Sequence, residues 1–429
     1  MKEPIYIVDG IRTPFAKAGT VLTEIDAVEL GKTVVSQLIA KTGLAPEKIE
    51  EVIFGCVGQP PEAPNVARVI ALRAGIPASA PAATVHRNCA SGFEAVTQAA
   101  EKIIAGRGDI FLVGGVENMS RIPLFYSYPA AKKFSDFARA KDPAQKVRAA
   151  AQFRVTDFRP QIGLQLGLSD PVCGLNMGET AENLSRDFGI TRDEQDEFAL
   201  RSHHRAIAGR GALDQEITPV YLPKSKNGKT FFGQDNGPRE NQTMEALAKL
   251  KPVFEPNIGT VTAGNSSQIT DGAVALLLMT EKGLRESGLT PLGRLLGYAY
   301  VGLDPSRMGL GPIYAINRAE RSTGLGLKDA EVIEINEAFA AQVLACQKAA
   351  VSPEYCRNSL GRESVLGEIP DEILNVNGGA IALGHPVGVT GSRLVLTALK
   401  ELHRRGANRA LASLCVGGGQ GGALWLSRN

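Results

Sequence analysis

The stretch Cys89-Ala-Ser-Gly-Phe-Glu-Ala-Val-Thr-Gln-Ala-Ala-Glu-Lys-Ile-Ile104, followed by the apolar run Ile110-Phe-Leu-Val113, carries the pattern that decides the fold. Its larger apolar residues recur at steps of three and four positions, as Phe93, Val96, Ala100 and Ile103. This periodicity predicts a helix that begins near Ser91. The apolar run, which ends in Gly114-Gly115, has the character of a buried strand.

A second copy of this unit lies near the C-terminal end of the sequence. Gly391-Ser-Arg-Leu-Val-Leu-Thr-Ala-Leu-Lys-Glu-Leu-His403 repeats the helix, and Ala410–Cys415 repeats the strand before Gly417-Gly418. A period of about 300 residues is too long for a solenoid and predicts an internal domain duplication. Similar apolar runs meet glycine turns at residues 109–113 and 373–376, which is typical of an α/β protein with a buried sheet.

The chain between the two copies has a different character. It contains polar loops, such as residues 223–242, and a helix that Thr191 caps ahead of an acidic first turn. We read it as an inserted loop domain, after which the strand-like run Ala273–Met279 returns the chain to the first core. We therefore expect three units: a first core domain from 1–118 and 269–291, a loop domain from 119–268, and a second core domain from 292–429.

Composition excludes several classes of protein. Of 429 residues, 44% are hydrophobic and 21% are charged, which is the balance of a globular chain. The net charge of +2 gives no general attraction to nucleic acid, and the longest apolar run, Ala273–Met279, is too short to span a bilayer. Because residues 1–9 already resemble a strand, we expect no signal peptide. Six irregularly spaced cysteines and five histidines predict reduced thiols, a cytoplasmic setting and no structural zinc.

Cys89 is the first candidate for chemistry. It lies where a strand ends and the predicted helix begins, and the free N–H groups of a helix N-terminus favour a thiolate. The small residues 90–92 after it would let a substrate approach. From these residues alone, a nucleophile and a buried structural cysteine are equally open.

Three further segments hold polar or reactive groups beside glycines. His385, between Gly384 and Pro386, suits a general base, with a satisfied loop histidine as the alternative. Cys415 ends an apolar strand before three glycines whose N–H groups could form an oxyanion pocket, although a strand-end cysteine is usually packing. Asn336 and Glu337 follow the apolar strand 332–335 and are either site groups or a helix cap.

A run of small residues and hydroxyls, Gly259-Thr-Val-Thr-Ala-Gly-Asn-Ser-Ser267, is the last candidate segment. Such a run can lie flat against an extended ligand. The alternative interpretation is a flexible loop.

Together these motifs resemble the thiolase family, and they occur in its order. The segments that carry the resemblance are Cys89 with Ser91, Thr262-Ala-Gly-Asn-Ser-Ser267, Asn336-Glu-Ala-Phe339, Gly384-His-Pro386 and Cys415-Val-Gly-Gly-Gly419. The resemblance covers essentially the whole chain. It implies an α/β thiolase fold of two duplicated βαβαβαββ half-domains, packed face to face in a five-layer α-β-α-β-α arrangement, with the loop domain on top.

The resemblance also implies a role for each site residue. Cys89 would be the nucleophile that carries the acyl group, His385 the base that activates it, and Cys415 the acid/base for the C2 proton of acetyl-CoA. Asn336 would hold a water that forms one oxyanion hole with His385, and the N–H groups of Cys89 and Gly417 would form the second. The residues expected near CoA or the acyl group are Ser267, Met177, Ser266, Gly264 and Phe339.

The implied activity is CoA-dependent cleavage of a 3-ketoacyl-CoA to acetyl-CoA and a shortened acyl-CoA, which is reversible by Claisen condensation. It needs no metal or bound cofactor, and CoA and acyl-CoA are substrates. A short-chain acetoacetyl-CoA thiolase working in the biosynthetic direction is the alternative.

Two other classes of protein fit the sequence less well. A ketosynthase usually has two histidines where this chain has His385 and Cys415, and a non-catalytic lipid carrier would be expected to lose Cys89 or His385.

The segment 119–176 is long and basic, and in this it resembles the thiolase subunits of β-oxidation multienzyme complexes. Those subunits commonly carry His at the position of Asn336, and compact thiolases often carry His at that of Asn176. Three interpretations of this segment are open: a cover over the substrate channel, a docking surface for a hydratase/dehydrogenase subunit, or a weak membrane-surface contact through 131–159.

We expect a homodimer or homotetramer, because thiolases pair through their first core domain and the run 110–113 would leave a sheet edge that a second subunit could cover.

Overall fold

The computed structural model describes residues 3–226 and 229–428. The strands are β1 (Ile5–Arg12), β2 (Ala16–Lys17), β3 (Glu51–Gly55), β4 (Ala82–Val85), β5 (Ile110–Glu117), β6 (Leu124–Phe125), β7 (Gln161–Ile162), β8 (Val220–Lys226), β9 (Lys229–Phe232), β10 (Thr270–Met279), β11 (Gly293–Gly302), β12 (Val332–Ile335), β13 (Arg409–Val416) and β14 (Gln420–Ser427).

The helices follow the same order along the chain. They are α1 (Ala27–Thr42), α2 (Val66–Arg73), α3 (Ser91–Ile104), α4 (Tyr128–Arg139), α5 (Pro143–Ala150), α6 (Gly163–Gly167), α7 (Met177–Asp187), α8 (Arg192–Ala208), α9 (Arg210–Asp214), α10 (Met244–Ala248), α11 (Glu281–Ser287), α12 (Gly311–Thr323), α13 (Ala340–Val351), α14 (Pro353–Leu360), α15 (Ala380–Leu383) and α16 (Thr390–Arg405).

The predicted duplication appears in the strand pairing of the large sheet. The first half runs β4-β3-β5-β10-β1 and the second runs β12-β13-β14-β11, extended beyond β12 by a parallel bridge from Ile333 to Leu374. Matching pairs have matching directions: β3–β5 and β12–β13 are parallel, and β5–β10 and β13–β14 are antiparallel. The first half therefore has the predicted βαβαβαββ topology, and the second half follows it with the single bridge at Leu374 in place of its third strand.

The layers follow from which face of each strand is apolar. Along β10, Val274, Leu276 and Leu278 join a core that also contains α3 and α16, whereas the alternate residues face a core with α1 and α2. A third core packs α12 and α13 on the outer face of the second half. The helices α3 and α16 thus form the central layer between two sheet halves, and the five-layer fold is confirmed.

Two details of the sheet differ from expectation. The halves also join edge to edge, because Ile5 and Ile7 of β1 pair with Leu295 and Gly293 of β11. The run 110–113 is not an edge, since β5 pairs with β10 on one side and with β3 on the other. In this half the strand at the end of the path is β4.

The strand predicted over 373–376 is wrong, because only Leu374 bridges to β12. The next residue, Asn375, has a φ of 45°, which ends the extended backbone. Its side chain takes over the pairing: Ile335 N–H donates to Asn375 Oδ1 at 2.9 Å, and Asn375 Nδ2 donates to the Ile335 carbonyl at 2.8 Å. The side-chain amide of Asn375 thus makes the hydrogen bonds to Ile335 that a neighbouring strand would otherwise make through its backbone.

The region between β5 and β10 carries most of the smaller elements. Thr191 caps α8 as predicted, but β8 and β9 pair antiparallel, and β8 extends into and β9 lies within the stretch 223–242 that was expected to be a loop. Residues 227 and 228 of that stretch lie outside the described residues. Among helices of the described residues, none is long and apolar enough to cross a membrane.

Candidate active site

Cys89 lies between β4 and the first turn of α3, partly buried. Asn88 before it has a φ of 42°, and its side-chain Nδ2 donates to the Gly417 carbonyl at 2.7 Å. This bond joins the turn of the first half to the glycine turn of the second half. The backbone N–H groups of Gly417 and of Cys89 itself lie close enough to the thiol to favour its ionised form.

Burial nevertheless outweighs these donors and raises the pKa of the Cys89 thiol. The resting site therefore holds a thiol, contrary to the expectation of a thiolate at the helix N-terminus. The small residues after Cys89 do not provide the substrate access that was expected, because they pack against the second half. Ala90, Ser91 and Gly92 are buried, and the Gly92 carbonyl accepts a hydrogen bond from Ser392 of α16.

His385 is buried and held at both ring nitrogens. Its Nδ1 lies 2.6 Å from Thr390 Oγ1, and this hydroxyl in turn donates to the Pro386 carbonyl at 3.1 Å. Thr390 thus accepts the Nδ1 proton, so Nε2 is the ring nitrogen that carries the lone pair. Burial and the nearby Arg393 cation lower the pKa of His385 to about 3, so the ring is neutral and Nε2 can take a proton.

Asn336 faces that lone pair. Its Nδ2 lies 3.5 Å from Nε2 of His385, and its buried Oδ1 has no hydrogen-bond partner among the described residues. The helix-cap alternative is wrong for this segment, since Phe339 occupies the N-cap of α13. Asn336 therefore presents an unused polar oxygen beside a neutral histidine.

Cys415 lies at the end of β13 in a small apolar cluster that includes Met308 and Phe339, with Met177 packed against it. Burial raises the pKa of Cys415 well above its usual value, and the charges of Cys89 and Cys346 contribute to the rise. An added Cβ on Gly417 would lie 3.4 Å from the Met177 sulfur. Cys89, Cys415, Gly417 and Met177 are therefore neighbours.

The residues predicted near CoA have mixed surroundings. Ser266 and Phe339 form a β-bridge, which brings the 262–267 segment beside Asn336. The Ser266 hydroxyl is already used, since it donates to the Thr262 carbonyl at 2.7 Å, whereas Ser267 is partly exposed. A Cβ on Gly264 would lie 2.5 Å from Leu250 Cδ1, so packing alone accounts for that glycine.

Sequence reasoning missed two polar residues of the site region. Thr390 sets the His385 tautomer, and Glu117, at the end of β5, accepts hydrogen bonds from three backbone N–H groups. A glutamate ending the eight-residue strand Ile110–Glu117, buried throughout, was the available signal. Asn176, where compact thiolases often carry His, caps α7 in a reciprocal pair with Glu179.

Within residues 3–226 and 229–428, no group of His, Cys, Asp or Glu side chains is placed to hold a metal ion.

Solved structures share this architecture along its full length. The acetyl-CoA acetyltransferase of Bacillus anthracis superposes with a TM-score of 0.86 at 37% identity, covering 99% of this chain and 98% of that one. Human mitochondrial 3-ketoacyl-CoA thiolase in complex with CoA superposes with a TM-score of 0.85 at 35% identity over the same shares. The fold is thus that of a class of acyltransferases.

Sequence comparisons narrow the class to one family. The family model described as "Thiolase, N-terminal domain" matches residues 5–282, and "Thiolase, C-terminal domain" matches residues 289–428. The 3-ketoacyl-CoA thiolase of Pectobacterium atrosepticum is 41% identical over 427 residues, which cover 99% of this chain and 96% of the relative. The chain belongs to the thiolase family, and it is an acyltransferase.

Proposed function

We propose that this thiolase cleaves 3-ketoacyl-CoA with CoA, in fatty-acid β-oxidation, to acetyl-CoA and a shortened acyl-CoA. Two observations carry the proposal: the Cys89 thiol lies near the Gly417 N–H, and the neutral His385 ring has its Nε2 lone pair available because Thr390 accepts the Nδ1 proton. The relatives named 3-ketoacyl-CoA thiolase and the CoA complex of a solved neighbour support the substrate class.

In the first half-reaction, His385 Nε2 takes the Cys89 proton and the thiolate attacks the 3-keto carbon. The bond between C2 and C3 breaks, Cys89 keeps the acyl group as a thioester, and the Cys415 thiol gives its proton to C2 of the departing acetyl-CoA. A CoA thiol then passes its proton to the Cys415 thiolate and attacks the thioester. Cys89 leaves as thiolate and recovers its proton from His385, so every proton is returned.

Two sets of donors stabilise the oxyanions in this proposal. The N–H groups of Cys89 and Gly417 serve the thioester carbonyl, and His385 with an Asn336-bound water serves the enolate. Each donor contributes roughly 2.7–4 kcal/mol by analogy with measured deletions of such donors. Ser267, Met177, Ser266, Gly264 and Phe339 are proposed to line the path of the CoA arm and the acyl chain.

Mass spectrometry tests the proposal directly. After mixing with an acyl-CoA, the acyl group should be found on Cys89, and Cys89→Ser should lose both the label and all turnover. Cys173→Ser, which changes a partly buried cysteine of the loop region, is the matched control and should retain both. An acyl label on Cys56 or Cys173 in the wild-type protein contradicts the proposal.

A second candidate is acetyl-CoA acetyltransferase activity in the biosynthetic direction. It is favoured by the similarity to the Bacillus anthracis structure of that name. The ratio of kcat/KM values for acetoacetyl-CoA and for long-chain 3-ketoacyl-CoA decides between the two. A preference of tenfold or more for acetoacetyl-CoA would select the second candidate.

We also propose that residues 119–268 form a separate loop unit, whose segment 119–176 is a contact surface. Every residue of α5 is at least partly exposed, and Tyr128, Val147 and Val155 are 83%, 69% and 91% exposed. These exposures disfavour a packed cover and leave a hydratase/dehydrogenase subunit or a membrane surface as the occupant. Binding to that subunit or to anionic vesicles, each tested with Val147→Asp, distinguishes them.

We further propose a cytoplasmic homodimer or homotetramer. The six cysteines are all free, which suits a reducing compartment. Light scattering at micromolar concentration measures the assembly, and a monomer would contradict this part of the proposal.

A further inference from the structure

Glu117 is a buried carboxylate that the proposed reaction does not use. It ends β5 with no exposed surface, and it faces backbone N–H groups instead of a cation. Its Oε2 accepts from Val57 at 3.0 Å and from Gly388 at 2.9 Å, and its Oε1 accepts from Gly58 at 2.7 Å. Two of these donors belong to the first half, whereas Gly388 belongs to the segment that carries His385.

Packing around Gly388 leaves the segment little freedom. A Cβ on Gly388 would lie 2.7 Å from Glu117 Oε2 and 3.0 Å from the Cys56 Cα. A Cβ on Gly115 would lie 2.2 Å from the Gly388 carbonyl oxygen. The segment that carries His385 thus packs against the first half so closely that only glycine fits at positions 115 and 388. The Glu117 carboxylate contacts the segment at Gly388.

A second buried carboxylate holds the approach to the same segment. Glu337 Oε2 accepts from the Ile381 N–H at 3.2 Å and from the Ser202 hydroxyl at 2.6 Å. His385 lies between these two anchors, four residues after Ile381 and three before Gly388. Glu337 and Ile381 both belong to the second half. Glu117 therefore joins Thr270 of β10, whose hydroxyl accepts the His385 N–H at 3.2 Å, in fixing the histidine relative to Cys89 on the first half.

The free energy needed to ionise this buried carboxyl group is a second indication that Glu117 has a role other than stabilising the fold. Burial raises the pKa of Glu117 to about 7, and the Asp271 charge adds to the rise while the three N–H donors oppose it. The Cys56 thiol also faces it, 3.9 Å from Oε1. A carboxyl whose ionised form is this unfavourable contributes little to folding at neutral pH, and perturbed groups of this kind concentrate at functional sites.

We propose that Glu117 is a positioning residue: by accepting the Gly388 N–H across the interface between the halves, it sets the distance from His385 Nε2 to the Cys89 thiol. The proposal rests on the proposed function, in which His385 takes the Cys89 proton. Loss of the Glu117 contact should leave substrate binding intact and slow the steps that depend on His385.

The test compares Glu117→Gln with Glu182→Gln. Glu182 is also buried and accepts the backbone N–H groups of Thr260 at 2.9 Å and Val261 at 2.8 Å, but its hydrogen bonds do not involve residues 385–388 or Glu117, so it controls for loss of a buried carboxylate. Two rates are measured: turnover of a 3-ketoacyl-CoA, and alkylation of Cys89 by iodoacetamide. Glu117→Gln should lower kcat and the alkylation rate by about tenfold to hundredfold with KM little changed. Glu182→Gln should stay within about threefold of wild type at equal folded fraction.

The same substitution in a His385→Asn background separates positioning from a general structural effect. If Glu117 acts through His385, Glu117→Gln should cause no further loss of alkylation rate in that background. An equal loss in both backgrounds, or a loss of the same size in Glu182→Gln, overturns the proposal. If Glu117→Gln does not fold, Glu117→Asp withdraws the carboxylate from Gly388 and should give the same pattern. Absence of any turnover or acyl-Cys89 in the wild-type protein would instead refute the proposed function.

Discussion

The Ser392 hydroxyl donates a hydrogen bond of 3.0 Å to the Gly92 carbonyl, joining the first turns of α3 and α16. These residues are 300 positions apart and belong to the two copies of the duplicated unit. The backbones meet so closely that a Cβ on Gly391 would lie 2.3 Å from the Phe93 backbone nitrogen. Glycine and small residues at the starts of both inner helices therefore let the halves meet directly behind Cys89 and His385.

Gly391→Ala should destabilise the protein by about 3 kcal/mol, since overpacking against a backbone atom cannot be relieved by moving a side chain. Gly211→Ala in α9 is the matched control, because nothing lies within 4 Å of the Cβ it would add. That change should be neutral or slightly stabilising. Thermal unfolding measures both variants, and equal melting temperatures would show that the inner helices are less tightly packed than described.

The sequence predicted the layers well because each half repeats one strong pattern of apolar strand, glycine turn and amphipathic helix. The prediction from sequence failed where the structure depends on a side-chain hydrogen bond or on a contact between distant segments, which the local sequence pattern does not contain. The bonds of Asn375 to Ile335 end a strand that its own apolar residues favoured. Glu117 meets Gly388 across 271 positions, and no local spacing reports such a contact. The thiol state of Cys89 is likewise set by burial, which helix position alone does not reveal.

Thr390→Val should lower kcat by about tenfold, because the variant cannot accept the Nδ1 proton and the ring loses its fixed tautomer. Thr397→Val is the control on the same helix: its hydroxyl is also buried, but it lies 3.1 Å from Glu216 and away from His385. That control should lose some stability and keep its kcat. If both variants retain kcat, Thr390 does not orient the catalytic ring in the proposed reaction.

Acidification should destabilise the protein through His203. This ring is 2% exposed, and its Nδ1 accepts the Arg239 N–H at 3.2 Å. Burial and the nearby Arg239 and His204 charges lower the pKa of His203 to about 4 from 6.5. Between these values the unfolded chain binds a proton that the folded protein does not, so the unfolding free energy falls as pH falls.

The contribution of His203 is on the order of 3 kcal/mol by pH 4. His203→Gln should therefore lose less stability than wild type between pH 7 and pH 4.5, measured by denaturant unfolding at each pH. Glu117 and Glu334, whose pKa values burial raises to about 7, act in the opposite sense, since their contribution falls as pH rises. They are present in both proteins and cancel in the difference. Parallel pH curves for the two proteins would contradict the prediction.

Cys415→Ser should separate the two kinds of proton transfer in the proposed reaction. Burial and the nearby Cys89 charge raise the Cys415 pKa well above its usual value, so the resting residue is a thiol that can donate to a carbanion. A serine hydroxyl is a much poorer acid and base, and exchange of the C2 protons of acetyl-CoA should fall by orders of magnitude. Acylation of Cys89 by acetyl-CoA needs no carbon–proton transfer. Cys415 gives its proton there only to the CoA sulfur, which can also leave as a thiolate, so this rate should fall much less.

The matched control is Cys356→Ser, which changes another buried thiol, whose sulfur lies 3.5 Å from the Ala350 carbonyl oxygen. Cys356 lies on α14, outside the apolar cluster that contains Cys415. Both of its rates should stay near wild type. Single-turnover acylation and deuterium exchange at C2 are measured on each variant. Exchange at the wild-type rate in Cys415→Ser would assign the C2 proton to another group. An equal collapse of both rates would also contradict the prediction, because proton transfer to carbon depends on Cys415 far more than proton transfer to the CoA sulfur.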